Sequence, residues 1–144
     1  MSTTSEIDPA KSITVTPMRV RFFETDLMGI VHHGSYLTYF EAGRVEWLRA
    51  RGVTYADWAA KGVHLPVVEA HVHYHSPARF DDLLEVETRL DVLRTVSLKF
   101  AYRITKDGKL LADGYTRLGC IDADHKLLRI TDDMRRVLLS GELR

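Results

Sequence analysis

Residues 20–36, VRFFETDLMGIVHHGSY, join an apolar β-type segment to a helical one. The apolar run ends at two acids, Glu24 and Asp26, and a glycine-containing turn and two histidines follow. Gly34-Ser35 is typical of a helix N-cap, and residues 35–50 carry apolar side chains at helical spacing. The sequence therefore predicts a carboxylate on a loop, a few residues before the start of a helix.

This placement suits carbonyl chemistry. The start of a helix offers unpaired backbone N–H groups and about half a positive charge. A carboxylate beside it can attack a carbonyl carbon or activate water, while the N–H groups stabilise the oxyanion. Taken alone, however, Asp26 is more simply interpreted as a turn residue, because aspartate is common before glycine-containing turns.

The wider pattern resembles a known family, the hotdog-fold acyl-CoA thioesterases, and within it the 4-hydroxybenzoyl-CoA thioesterase group with its YbgC/FadM-like relatives. The similar segments are Asp26, Gly29-Ile30-Val31, His33, Tyr36, Tyr39-Phe40-Glu41, 65–69 (LPVVE) and 74–86 (YHSPARFDDLLEV). The resemblance covers residues 18–122. With it, a catalytic role for Asp26 is favoured over a role as a turn residue. It implies hydrolysis of acyl-CoA thioesters, without a metal or an organic cofactor, coenzyme A being part of the substrate.

The resemblance assigns catalytic roles to Asp26 and His33, and substrate contacts to Gly29, Val31 and Tyr36. Asp26 would be the nucleophile or the general base, and both routes stay open. His33 would act through its backbone N–H, because a tyrosine can occupy this position in the 4-hydroxybenzoyl-CoA group. Alternatively, its imidazole would orient water. The simpler alternative is that His33 only packs at the loop–helix junction. A second function class is a hotdog protein that binds acyl-CoA or acyl-carrier-protein ligands without hydrolysis, although an unused desolvated carboxylate would be costly there.

Other reactive side chains have weaker support. Glu24 would share a face with Asp26 only if the strand continued through the loop. Glu41 is the reserve catalytic candidate, because another hotdog thioesterase lineage has a glutamate on its helix; we expect it to bond a backbone group or Arg44. Cys120 lies in an apolar strand without a histidine nearby in sequence, and a Gly-x-Ser-x-Gly elbow is missing from the sequence.

Three histidines alternate along one predicted strand, at His71, His73 and His75. On a strand, i and i+2 side chains point the same way about 7 Å apart, a spacing that zinc ligands use. All three in a row span too far for one ion, and no cysteine is close in sequence. We therefore predict an exposed or interfacial polar face and no metal.

The remaining elements predict an α+β domain. A first strand covers residues 13–23, where Pro17 indicates an edge or a bulge. Further predicted elements are a short helix at 54–61, strands at 65–75, 84–92, 96–104 and 110–121 with a hairpin turn at 106–109, and a C-terminal helix from the N-cap Thr131 to near Gly141. One long apolar helix and one antiparallel sheet must bury each other, and the resemblance implies a hotdog fold, an antiparallel sheet wrapped around a central helix.

Bulk properties limit the function classes. The chain has 144 residues, and we expect one domain at 13–144 after a disordered leader at 1–12. Lysine and arginine number 20 and acidic residues 20, so no charge excess favours nucleic acid or an anionic membrane. A single cysteine, no signal peptide and no membrane-spanning run favour a cytoplasmic protein.

The resemblance also implies assembly and coenzyme binding. Hotdog proteins pair as homodimers and often as homotetramers, with the site at a subunit interface. Coenzyme A carries phosphates, so basic residues should lie near the mouth of the pocket. The candidates are Arg79, Arg94, Lys99 and Lys126, which sequence alone does not rank.

Overall fold

The computed structural model describes residues 6–143, which form a five-stranded antiparallel sheet and one long helix packed on it. The strands are β1 (Ile13–Arg19), β2 (Val67–Tyr74), β3 (Leu83–Leu93), β4 (Ser97–Lys106) and β5 (Lys109–Gly119). Their order in the sheet is β1-β3-β4-β5-β2, so β1 and β2 are the edges. The helices are α1 (Ser35–Arg49), α2 (Tyr55–Ala59) and α3 (Asp132–Leu138). None of the helices in residues 6–143 is long and apolar enough to cross a membrane.

Helix α1 packs on the sheet through the apolar side that its sequence predicts. Tyr36, Phe40 and Trp47 are all buried on this side. A Cβ atom at Gly43 would lie 2.5 Å from Thr88 Oγ1, so the missing side chain lets the helix approach β3 closely. The helix and the sheet therefore bury each other as expected.

The period-two pattern predicts the inner face correctly in β3 and β4. Along β4 the buried residues are Leu98, Phe100, Tyr102 and Ile104. In β3 the alternation changes at a bulge between Leu90 and Val92, so that Leu93 is fully buried and Val92 only half-buried. A bulge adds one residue to a strand and reverses the faces beyond it.

Strand β2 differs from the prediction of one buried and one polar face. Seven of its eight residues are exposed, and only Val72 is partly buried. Val68 is 64% exposed and Tyr74 is 47% exposed. The reason is the position of α1, which packs mainly on β1 and β3 and contacts β2 much less.

The first strand is shorter than the predicted 13–23, because it ends at Arg19 and residues 22–24 form a 3₁₀ turn. Pro17 lies in β1, an edge strand as predicted. The hairpin turn between β4 and β5 is also confirmed. Asp107 and Gly108 have φ values of 50° and 80°, the left-handed pair that a two-residue turn requires.

Part of the predicted leader, residues 1–5, lies outside the described residues. The rest is attached to the domain: the Trp47 indole N–H donates to the Ser12 carbonyl at 2.8 Å. The Arg51 guanidinium donates to the Lys11 carbonyl at 2.7 Å and to the Ser140 carbonyl at 2.9 Å. These bonds attach Lys11 and Ser12 to the helix α1 and its C-terminal end.

Candidate functional site

The segment between β1 and α1 is a tight loop held by its own backbone. Thr25 and Val31 pair as an antiparallel bridge, and the Asp26 N–H donates to the Ile30 carbonyl at 2.9 Å. The Gly29 N–H donates back to the Asp26 carbonyl at 3.0 Å, with Gly29 at φ 76°. This positive φ favours glycine, since a side chain would strain the turn.

The carboxylate of Asp26 is exposed, and one of its two oxygens accepts a hydrogen bond within the turn. Oδ1 accepts the Met28 N–H at 2.8 Å. This is the local bond expected of an aspartate in a turn. No donor within residues 6–143 pairs with Oδ2, so the second oxygen is available to another partner.

Asp26 borders a cavity of about 410 Å³ between its loop, the start of α1 and the end of β2. The lining residues are Asp26, Ile30, Val31, His33, Tyr36, Tyr74, His75, Ser76 and Pro77. Of the predicted site residues the cavity thus includes Asp26, His33, Val31 and Tyr36. Gly29 does not line it and instead sets the shape of the loop.

Backbone donors at the start of α1 are mostly occupied. The Gly34 N–H donates to His32 Nδ1 at 3.1 Å, and the Ser35 N–H donates to the His32 carbonyl at 2.9 Å. Tyr36 N–H donates to the His33 carbonyl at 3.4 Å. No acceptor within residues 6–143 pairs with the His33 N–H, which leaves this donor for a bound molecule.

Ser35 does not act as a helix cap. Gly34 occupies the N-cap position with helical dihedral angles and no side-chain bond, and the Ser35 hydroxyl donates to the Glu24 carbonyl at 3.3 Å. The His33 carbonyl accepts the Tyr74 hydroxyl at 2.8 Å, and the Tyr74 ring packs edge-on against Tyr36. These contacts join the start of the helix to both the loop and β2. Burial raises the pKa of the Tyr36 hydroxyl above its ordinary value.

Glu24 is buried and connects the loop before α1 to the helix through hydrogen bonds. Its side chain is only 3% exposed. Oε1 accepts hydrogen bonds from the Arg21 backbone N–H at 2.7 Å and from the Tyr39 hydroxyl at 3.0 Å. Oε2 accepts a hydrogen bond from the Arg21 guanidinium at 2.9 Å. Its backbone carbonyl accepts the His32 N–H at 2.8 Å. Burial alone would raise the pKa of Glu24, but the bonds from Arg21 and Tyr39 outweigh it and lower that pKa. Glu24 is a structural residue of the loop.

A match to the thioesterase-like superfamily spans residues 20–138, from the end of β1 through α3. This chain belongs to that superfamily. The acyl-CoA thioester hydrolase YbgC of Escherichia coli O6:H1 is 36% identical over 107 residues, which are 74% of this chain and 80% of that protein.

Two crystal structures are similar over most of their length. The hypothetical protein TT1821 from Thermus thermophilus is 42% identical with a TM-score of 0.85, covering 92% of this chain and 99% of that one. The DHNA-CoA thioesterase from Staphylococcus aureus is 29% identical with a TM-score of 0.84, covering 87% of each chain. The hotdog fold predicted from the sequence is therefore confirmed.

Glu24→Gln should destabilise this superfamily member by about 1.5–3 kcal/mol at pH 7, because hydrogen bonds to a charged acceptor are lost. A carboxyl group with a lowered folded pKa adds stability above its unfolded pKa, and this contribution disappears as the pH falls through the folded value. Denaturant unfolding of both proteins from pH 7 to pH 3 should show a difference that is largest at pH 7 and shrinks below about pH 4. A difference that grows toward acid pH would contradict this role.

The other reactive candidates lie away from the Asp26 cavity. Glu41 is exposed in a groove of about 890 Å³ between α1 and β1, which shares no lining residue with that cavity. Arg44, its expected partner, is buried and donates to the Tyr102 hydroxyl at 3.2 Å. Cys120 is fully buried, and this burial raises the pKa of its thiol. A buried, protonated thiol is a poor nucleophile.

Among the predicted phosphate-binding residues, Arg79 is the one beside the Asp26 cavity. It pairs with Ile30 in an isolated bridge and lines an adjoining cavity of about 330 Å³. That cavity shares Pro77 with the Asp26 cavity and is also lined by Lys106 and Lys109, which are not among the four candidates predicted from the sequence. The sequence feature that marks these two lysines is the charged hairpin turn at 106–109.

Proposed function

We propose that this chain hydrolyses acyl-CoA thioesters to a carboxylic acid and coenzyme A. The observation that carries the proposal is that one cavity is lined by Asp26, which has a free carboxylate oxygen, and by His33, which has an unpaired backbone N–H. Membership of the thioesterase-like superfamily and the similarity to the hydrolase YbgC support the same reaction. The acyl group would occupy the cavity, with its thioester carbon between these two groups.

In this proposal the His33 N–H donates to the thioester oxygen and stabilises the negative charge that develops there. Asp26 acts in one of two ways. As a nucleophile, Oδ2 bonds to the acyl carbon, the C–S bond breaks, and water hydrolyses the resulting anhydride. As a general base, Oδ2 takes a proton from water, whose oxygen attacks the carbon, and the proton passes to the leaving thiolate. The proposal includes no metal and no organic cofactor.

Release of free thiol from a panel of acyl-CoA esters tests the reaction. The panel runs from acetyl to palmitoyl esters and includes benzoyl and phenylacetyl esters. We expect turnover of at least one ester, and the order of kcat/KM identifies the acyl class. Absence of hydrolysis across the panel, with tight binding of an ester, would replace this proposal by the acyl-CoA-binding alternative.

We further propose that the phosphates of coenzyme A bind beside Arg79, Lys106 and Lys109. Arg79 and Lys109 are exposed, and Lys106 is held by Asp82 at 2.8 Å. A substrate whose thioester lies in the Asp26 cavity can extend past Pro77 into this basic region. Guanidinium and ammonium groups are the usual protein partners of phosphate.

Arg79→Ala should raise KM for the best acyl-CoA about tenfold, because a charge-assisted contact to phosphate is lost. The KM for the matching acyl-pantetheine ester, which has no nucleotide phosphates, should not change. Lys99→Ala is the matched control, since Lys99 lies on the outer face of the sheet and contacts Tyr115. Equal changes in KM for both substrates would reject the phosphate contact.

We propose that the chain assembles as a homodimer, or as a homotetramer built from such dimers, by pairing the free edges of two β2 strands. An exposed apolar edge strand is prone to pair with another strand. Of the two edges, β1 contains Pro17, which lacks an N–H donor, whereas β2 contains no proline. The end of β2 borders the Asp26 cavity through Tyr74, so such a dimer would bring the partner subunit close to the site.

Val68→Lys should weaken this assembly, since the exposed valine on β2 becomes a charged edge residue. Light scattering after size-exclusion chromatography should show a lower mass than the wild type at micromolar concentration. Val15→Lys is the matched control, a 48% exposed valine on the opposite edge strand. A mass lowered by Val15→Lys and not by Val68→Lys would assign the interface to β1.

We place the protein in the cytoplasm. Its single cysteine, Cys120, is unpaired and buried, which suits a reducing compartment. Separation of cell fractions, followed by detection of the chain with an antibody, tests this placement.

A further inference from the structure

One histidine of β2, a second histidine just after that strand and one aspartate of β5 lie close together on the sheet. His73 and Asp113 are direct partners in the antiparallel register, and His75 follows the last residue of β2, Tyr74. His75 Nε2 lies 3.1 Å from Asp113 Oδ1, and the two imidazole centroids are 4.3 Å apart. One ligand atom from each of the three residues can be chosen so that all lie within 4.8 Å of one another.

This geometry is close to that of a coordination shell. Ligand atoms around one tetrahedral zinc ion lie about 3.4 Å apart, given metal–ligand bonds of about 2.0–2.2 Å. The His75–Asp113 separation already meets this distance, and the longer separations need side-chain movements of about 1 Å. His73 and His75 are exposed and Asp113 is half-buried, so solvent leaves room for such movements and for an ion to enter.

We propose that His73, His75 and Asp113 form a binding site for a divalent transition-metal ion of the zinc class. Imidazole and carboxylate ligands suit Zn²⁺, Co²⁺, Ni²⁺ and Cu²⁺ better than Mg²⁺ or Ca²⁺, which prefer oxygen alone. Three protein ligands leave a fourth position for water. This proposal does not depend on the proposed hydrolysis.

The cluster differs from the row of three histidines that sequence alone suggests. His71 is not among the proposed ligands, because its ring stacks on the ring of Tyr115, with the two ring centroids 5.4 Å apart. Asp113 lies far along the chain from the histidines, and only the pairing of β2 with β5 brings it between them. The row of histidines in the sequence does not include Asp113, the third ligand of the proposed site.

The surroundings determine how tightly the site should bind. Arg103 is the partner of Asp113 on β4, and its positive charge competes with a cation for the carboxylate. We therefore expect weaker binding than at a closed structural zinc site. His75 also lines the Asp26 cavity, so the ion would lie at the border of that cavity.

Calorimetric titration of the full chain with Zn²⁺, after treatment with a chelator, tests the site. We expect a single ion per chain, and a visible ligand-field spectrum when Co²⁺ replaces Zn²⁺. His73→Ala, His75→Ala and Asp113→Asn should each weaken binding by at least about 10–100-fold, since even loss of an outer partner of a metal ligand has an effect of that size. His71→Ala is the matched control on the same strand and face, and it should bind like the wild type.

A thermal melt of each variant with and without Zn²⁺ separates loss of binding from loss of fold. The wild type should be stabilised by the ion, whereas the three ligand variants should melt at the wild-type metal-free temperature in both conditions. The proposal is overturned if the wild type binds no ion at a defined ratio. It is also overturned if His71→Ala weakens binding as much as His73→Ala, because the ion would then bind the histidine row without a defined site.

Discussion

The Asp26→Asn variant should lose nearly all hydrolysis, with kcat lowered by about 10²–10⁴-fold, and should unfold at the wild-type temperature. Stability is retained because an asparagine Oδ1 can still accept the Met28 N–H that Asp26 accepts at 2.8 Å. Activity is lost because an amide neither attacks a thioester nor accepts a proton at neutral pH. The substitution thus separates the chemical role of Asp26 from its role in the turn.

The measurement is thiol release with the best ester of the panel, alongside thermal unfolding and binding of a thioether analogue that cannot be hydrolysed. Binding of the analogue should remain within a few-fold of the wild type. Asp26→Ala is the companion variant: it should lose both the activity and the turn bond, and should therefore also unfold earlier. Wild-type rates in Asp26→Asn would reject the mechanism.

The two routes for Asp26 differ in when the products appear. In a single turnover, a nucleophile releases coenzyme A before the acid and leaves an acyl group on the peptide that contains Asp26. A general base releases coenzyme A and the acid at the same rate. Rapid quenching with analysis of both products therefore decides between them.

Gly114→Ala should destabilise the fold by at least about 3 kcal/mol, the upper part of the range for an overpacked core. A Cβ atom at Gly114 would collide with the backbone carbonyl of His71 on β2 and approach Phe40 of α1 to 3.0 Å. A backbone carbonyl cannot move aside as a side chain can, so β2 and β5 would have to separate. Thermal unfolding should show a midpoint lowered by about 10 °C.

Gly119→Ala is the matched control for this prediction. Gly119 lies in the same strand, and a Cβ atom there would meet only Val68 Cγ1, at an ordinary 3.6 Å. Its effect should stay within about 0.5 kcal/mol. Equal destabilisation by both substitutions would mean that the cost comes from the strand backbone and not from the contact with β2.

Local patterns predicted the elements whose environment is determined by their own sequence. The spacing of Tyr36, Phe40 and Trp47 predicted the buried side of α1, and Lys106–Lys109 predicted the hairpin turn. Asp26 and His33 could be selected because a known family pattern surrounds them. Their placement beside one cavity agrees with that selection, while their catalytic roles stay predictions.

Features that depend on contacts between distant segments could not be predicted in this way. The exposure of β2 follows from the packing of α1 mainly on β1 and β3, which the alternation within one strand does not encode. The bulge after Leu90 reversed the faces of β3 without a glycine or proline to mark it. Glu24 was considered as a possible acid, and its structural role emerged only from its bonds to Arg21 and Tyr39.

The bond from Met28 N–H to Asp26 Oδ1 has a consequence for the evolution of the superfamily. An aspartate codon becomes an asparagine codon by one nucleotide change, and this loop tolerates either residue. Under the proposed mechanism, this one change would stop hydrolysis while the fold, the cavity and the bound ester remain. A catalyst and a carrier of the same thioester would then differ by a single non-hydrogen atom of the protein, an oxygen exchanged for a nitrogen.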